Sequence, residues 1–193
     1  MYLAINDDRV PGTVVYRKDM EGSTGLDFLE KIFFLKEGIL LTQVRNIAGV
    51  DGSTLQNWVK RGWVPNTTNK LYSMDMFARI VIINMLRDTM QLSKISFLLS
   101  YINGEAGNTE DDIIPESKLY DYICKITDTI LSDESYSNER LRAHIENCID
   151  DADINKNIAN AKERLVSALE VIITARYAAL VKAHSDELYD KLV

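Results

Sequence analysis

Cysteine, histidine and proline are scarce in this chain: 193 residues hold two cysteines (Cys124 and Cys148), two histidines and three prolines. Two cysteines cannot build the disulfide framework of a small secreted domain, and both are read as reduced thiols. No apolar run reaches the eighteen or so residues of a membrane span. The N-terminal MYLAINDDRVPG is broken by Asp7, Asp8 and Arg9 instead of continuing as the apolar stretch of a signal sequence. These absences predict a cytoplasmic protein with no membrane partner, in which the sequon-like Asn66-Thr67-Thr68 carries no meaning. Catalytic signatures are missing as well: there is no Walker glycine loop, no G-x-S-x-G, no H-E-x-x-H and no G-x-G-x-x-G. A non-enzymatic protein without a cofactor is expected.

What is present is core-forming material and an uneven charge. Hydrophobic residues make up 46% of the chain, enough to bury a substantial core. The formal net charge of -7 conceals a reversal of sign. From Ile39 to Asn103, Arg45, Lys60, Arg61, Lys70, Arg79, Arg87 and Lys94 face only Asp51, Asp75 and Asp88, a balance of +4. The flanking segments carry -2 and -9. A basic island in an acidic chain points to one module that meets a polyanion, although chance sampling produces such islands too.

Periodicity divides the chain into three parts. Residues 1–26, punctuated by Pro11, Gly12, Gly22 and Gly25, read as a loose lead-in with a β-leaning run from Thr13 to Tyr16. Asp27 is placed to cap a helix to about Glu37, with Phe28, Ile32 and Leu35 on its buried face and Gly38 ending it, which closes the first part at residue 38.

The second part, 39–104, has the order of a DNA-binding module. Thr42 is placed to cap a helix whose inward stripe is Val44, Ile47 and Ala48, and Gly49 supplies a left-handed exit. Asp51 is placed to cap a second helix on which Leu55, Trp58 and Val59 share one face. Ser53, Thr54, Gln56, Asn57 and Lys60 then occupy the opposite side, a surface of small donors and acceptors suited to base edges and phosphates, or simply a solvated helix face. The segment WVPNTTNKLYS reads as a two-stranded wing turning at Asn66 to Thr68. Ser73 caps a third helix with Phe77, Ile80, Val81, Asn84 and Met85, and a fourth carries Leu92, Ile95, Leu98, Leu99 and Ile102.

With these residues in place, LTQVRNIAGVDGSTLQNWVKRGWVP, KLYSMDMFARI and LRDTMQLSKISFLL resemble the MerR-type winged helix-turn-helix of bacterial transcription regulators. More narrowly, QNWVKRG and LYDYICKI are similar to the bacterial family called domain of unknown function eighteen thirty-six. The MerR resemblance implies double-stranded DNA as partner and Lys70, on the wing, as a backbone contact; the outward face of the second helix adds Ser53, Thr54, Gln56, Asn57 and Lys60 as contact residues, with Arg61 beside it. Where MerR proteins commonly carry Arg-Tyr-Tyr, this chain has Gln56, Asn57 and Trp58. A protein-interaction or scaffold module that keeps the winged fold without binding nucleic acid is the alternative.

The third part, 105–193, reads as helices over Leu119–Leu131, Arg140–Ile149 and about Asp153–Leu192. The last carries Ile158, Leu165, Leu169, Ile172, Leu180 and Leu188 among many alanines, which suits either packing within the chain or a homodimer through the C-terminal helix. Asp151, Asp153 and Asn155 begin like a calcium loop, but Lys156 and Lys162 stand where the glycine and the bidentate glutamate belong. No metal is expected, with Cys124, His144 and Cys148 as the only candidate ligands, the last two spaced i, i+4. The overall expectation is an all-α fold with a small β wing.

Overall fold

The stretch from Met74 to Leu86 is apolar on nearly every side, and a helix with no polar face belongs at the centre of a protein. The computed structural model, which describes residues 7–34, 37–67, 69–132 and 138–192, places it there. The order is α1 (Gly25–Phe33), β1 (Ile39–Leu40), α2 (Leu41–Ala48), α3 (Gly52–Lys60), β2 (Leu71–Tyr72), α4 (Met74–Leu86), α5 (Leu92–Asn103), α6 (Glu116–Ser132), α7 (Asn138–Cys148) and α8 (Ala161–Asp190). The described residues are therefore mostly helical, with one small antiparallel sheet. Around α4 lie α1 and α6 on one side and α5 and α8 on another, while α7 closes over α6 and α8. A single hydrophobic cluster runs from Val10 to Ile173 and draws on each of the segments marked out by the sequence.

Two helix starts differ from the local reading, one through a tertiary partner and one through a different local cap. α1 begins at Gly25, ahead of Asp27, since the Leu26 N–H donates to Asp121 Oδ1 of α6 at 2.9 Å. α2 begins at Leu41, one residue before Thr42, and Gln43 Oε1 accepts the Leu40 N–H at 3.0 Å. Gly49 does take the left-handed exit, with φ 67° and Val14 packed where its Cβ would stand. Asp51 and Ser73 cap α3 and α4 as their positions suggest. Leu35 and Thr68, assigned above to a helix face and a turn, lie outside the described residues.

The sheet also departs from expectation. Only Leu71–Tyr72 of the presumed wing is a strand, and it pairs antiparallel with Ile39–Leu40, the residues that lead into α2. Trp63–Thr67 forms no strand of its own. Its path is set by Arg79, whose Nε donates to the Trp63 carbonyl at 2.6 Å, and by Asn69 and Lys70, both left-handed at φ 56° and 62°.

The lead-in, from Asp7 onward, is a pinned strap. Val10 is buried, the Val14 N–H donates to the Ile47 carbonyl at 3.0 Å, and Tyr120 of α6 donates its hydroxyl to the Pro11 carbonyl at 2.7 Å. Thr13–Tyr16 forms no strand; Arg9 and Tyr16 make an isolated bridge. Asn84 of α4 donates to the Gly12 carbonyl at 2.9 Å and to the Ala48 carbonyl at 2.8 Å, so one amide ties the strap to the end of α2. Any side chain at Gly12 would strike the Val81 backbone. Charged contacts complete the attachment: Arg17 pairs with Asp128 of α6 at 2.8 Å, and Arg176 of α8 pairs with Asp7.

The last helix is shorter than its sequence pattern. Residues 153–160 fold back toward the loop before α6, where the Asn155 N–H donates to the Ile113 carbonyl at 3.0 Å. Leu165, Leu169 and Ile172 are completely buried among the chain's own helices, so the stripe nominated for a dimer is core, whereas Leu188 is half exposed. Arg142 of α7 fastens that side by reaching Glu163 at 2.7 Å and Glu170 at 3.0 Å.

Candidate nucleic-acid interface

α3 is held by its apolar face and leaves its polar face outward. Leu55 and Trp58 are each 1% exposed, with Val59 half-buried beside them, so Trp58 is a core residue. Ser53, Gln56, Asn57 and Lys60 are exposed and Thr54 is half-buried. The helical register read from Leu55, Trp58 and Val59 therefore holds.

The exposed residues fall into separate groups. At the N-terminus of α3, Asp51 accepts the Ser53 hydroxyl at 2.5 Å, the Thr54 hydroxyl at 2.7 Å and the Thr54 N–H at 2.9 Å. These bonds hold its carboxyl well below the usual carboxylate range. The positive end of this helix is thus already occupied by an anion, and both hydroxyl protons are engaged. Toward the other end, Arg61 donates its Nε to Asn57 Oδ1 at 3.2 Å and lies over the Trp63 ring at 5.1 Å. Trp63, half-buried, is the shelf on which Arg61 rests. Gln56 projects from the middle of the helix and Lys60 from its last position, and Lys70 is exposed on the turn into β2.

Structure also revises the charge island. Arg79 is 2% exposed and paired with Glu116, so it lends no field to the surface. Arg87 and Lys94 are exposed on parts of the molecule that face α8, where Arg87 lines a cleft with Ala179 and Lys94 lines a groove with Val171. Arg45, in contrast, lies against Gly52 at the start of α3. It is a contact candidate that contributes to the basic island and, by its place beside Gly52, to the surface next to α3. Its position one turn before Gly49 is the signal for this in the sequence.

The metal candidates do not assemble. Cys124 is completely buried on α6, and burial pushes its thiol up to about 12. Cys148 Sγ lies 3.5 Å from His144 Nε2 on α7, and its thiol is likewise raised by burial. Among the described residues no group of three or more His, Cys, Asp or Glu side chains is arranged to hold a metal ion.

Residues 29–123 match the model of a family described as Domain of unknown function (DUF1836). The match begins inside α1, takes in the whole of α2 to α5 and ends in α6, so it covers the central helix α4 but leaves out α7 and α8. No curated protein and no solved structure gives a match. No helix among the described residues is long and apolar enough to cross a membrane.

Proposed function

We propose that this chain binds duplex DNA as a transcription regulator of MerR-like type, with α3 entering the major groove and the loop between α3 and β2 serving as the wing. The observation that carries the reading is the outward face of α3, where Gln56, Asn57 and Lys60 are exposed above a locked Leu55 and Trp58. Gln56 presents the paired donor and acceptor that suits an adenine edge, Asn57 adds an amide donor while its oxygen holds Arg61, and Arg45, Lys60, Arg61 and Lys70 supply the phosphate contacts. Ser53 and Thr54 act through Asp51 and stand behind the groove contacts. Two copies paired through the exposed end of α8, where Tyr189 is 66% exposed, double the contacts and read a palindrome.

A specific observation also favours a second reading. The carboxylate of Asp51 caps the same helix and repels phosphate, and the chain is acidic overall at -7. A protein-interaction module using this face accommodates both facts. Selection of binding sequences from random duplexes separates the two. Enrichment of one motif supports the regulator, and no retained duplex at low salt rejects it.

A further inference from the structure

Behind the α2–α3 pair lies a cleft of about 770 Å³, bounded by the strap, the end of α2, the end of α4 and the outer half of α8. That is the size of a small-ligand pocket. Two of its lining residues hold buried polar atoms with no hydrogen-bond partner among the described residues: Asn84 Oδ1 and Arg176 Nε. Asn84 has spent both amide protons on Gly12 and Ala48, which leaves its oxygen as an acceptor only. Arg176, 8% exposed, uses another nitrogen on Asp7 and keeps Nε–H as a donor. Unpaired buried polar atoms are costly, and two of opposite kind in one cleft specify what satisfies both.

We propose that this cleft binds a free α-amino acid. The ammonium of such a ligand is a donor and matches Asn84 Oδ1, while its carboxylate is an acceptor and matches Arg176 Nε. The walls add further polar groups: Asp7, Asp8 and Arg9 from the strap, Arg87 and Asp88 just after α4, and Glu187 with the half-buried His184 from α8. A simple carboxylic acid leaves the asparagine oxygen unpaired, and a simple amine leaves the guanidinium unpaired. The zwitterion satisfies both.

The consequence for regulation rests on the DNA-binding reading, whereas the binding site does not. Asn84 holds the last carbonyl of α2, so a ligand bridging Asn84 and Arg176 couples the helix pair to α8.

The test is calorimetric titration of the full chain with each of the proteinogenic amino acids, followed by the deaminated and decarboxylated analogues of any that bind. Millimolar or tighter binding of at least one amino acid is expected, with both analogues weaker by about tenfold or more. Ala183 is exposed and lines the cleft, so Ala183→Trp fills the space without disturbing the core; binding falls by about tenfold or more while helical circular dichroism is unchanged. Absence of binding by every amino acid, binding that survives in Ala183→Trp, or analogues as tight as the parent overturns the proposal. Amino-acid binding by a chain that retains no duplex keeps the site and removes its regulatory role.

Discussion

Arg79 of α4 and Glu116 at the start of α6 form an ion pair inside the core, and the same guanidinium holds the Trp63 carbonyl. One side chain thereby fixes both the loop after α3 and the entry to α6. Desolvation raises the Glu116 carboxyl above its ordinary value, and Arg79 opposes that shift. Arg79→Met strands a buried carboxylate and should cost about 3–5 kcal/mol in urea unfolding. Glu116→Gln keeps a hydrogen-bonding group and should cost clearly less. Equal losses would show that the pair acts only by filling space.

The neighbouring Asp112 predicts a pH dependence. Burial, then Glu116 and Asp111, push it up to about 7, with Asp75 adding and Arg79 opposing. Its folded value lies above its unfolded one, so its contribution is fully present below about pH 4 and is lost as pH rises through 7. Asp112→Asn should match the native protein at pH 4 and exceed it in urea midpoint at pH 8. A constant difference across that range would contradict the raised value.

Asp51 gives the DNA reading a prediction of opposite signs. Asp51→Asn keeps a capping side chain and removes a charge from the end of α3, so stability changes little while duplex affinity rises. Alanine at Arg45, Lys60, Arg61 or Lys70 should instead flatten the slope of log affinity against log salt by roughly 0.9 for each lost contact. Anisotropy titrations across a salt series measure both. An Asp51→Asn chain with lowered affinity and unchanged stability would place the carboxylate in the complex itself.

Leu169 and Val171 separate packing from pairing on α8. Leu169 is fully buried and Val171 is 45% exposed. Leu169→Asp should destabilise by on the order of 4 kcal/mol or more, and Val171→Asp by no more than about 0.5 kcal/mol. Chemical denaturation and light scattering should show the first variant unfolding and the second folded with its native mass. Dissociation of a folded dimer by Leu169→Asp would contradict the buried position.

How far these features were legible depended on the range of the interactions that set them. Asp51, Leu55, Trp58 and Ser73 act within a few residues, and their roles follow from spacing alone. The cap on Leu26 comes from Asp121, ninety-five residues away, and the partner of Leu71–Tyr72 precedes two helices, so neither start nor pairing leaves a local trace. Arg79 counted as surface charge because its partner Glu116 sits thirty-seven residues further on. Hydrophobic periodicity placed Leu165 and Leu169 on one face, but the pattern is the same whether that face meets its own chain or another copy.

The pairing of Asp7 with Arg176 spans 169 residues. During synthesis at about 5–20 residues per second, the strap is made roughly 8–34 s before the helix that receives it. Val10 and Pro11 must wait for α4 and α6, and Asp7 for α8. The first described segment is thus among the last to be locked, and loop-closure entropy delays a contact of such long range. Hydrogen-exchange protection at Val10 and Val14 should accordingly appear late in refolding, after protection of the α4 amides.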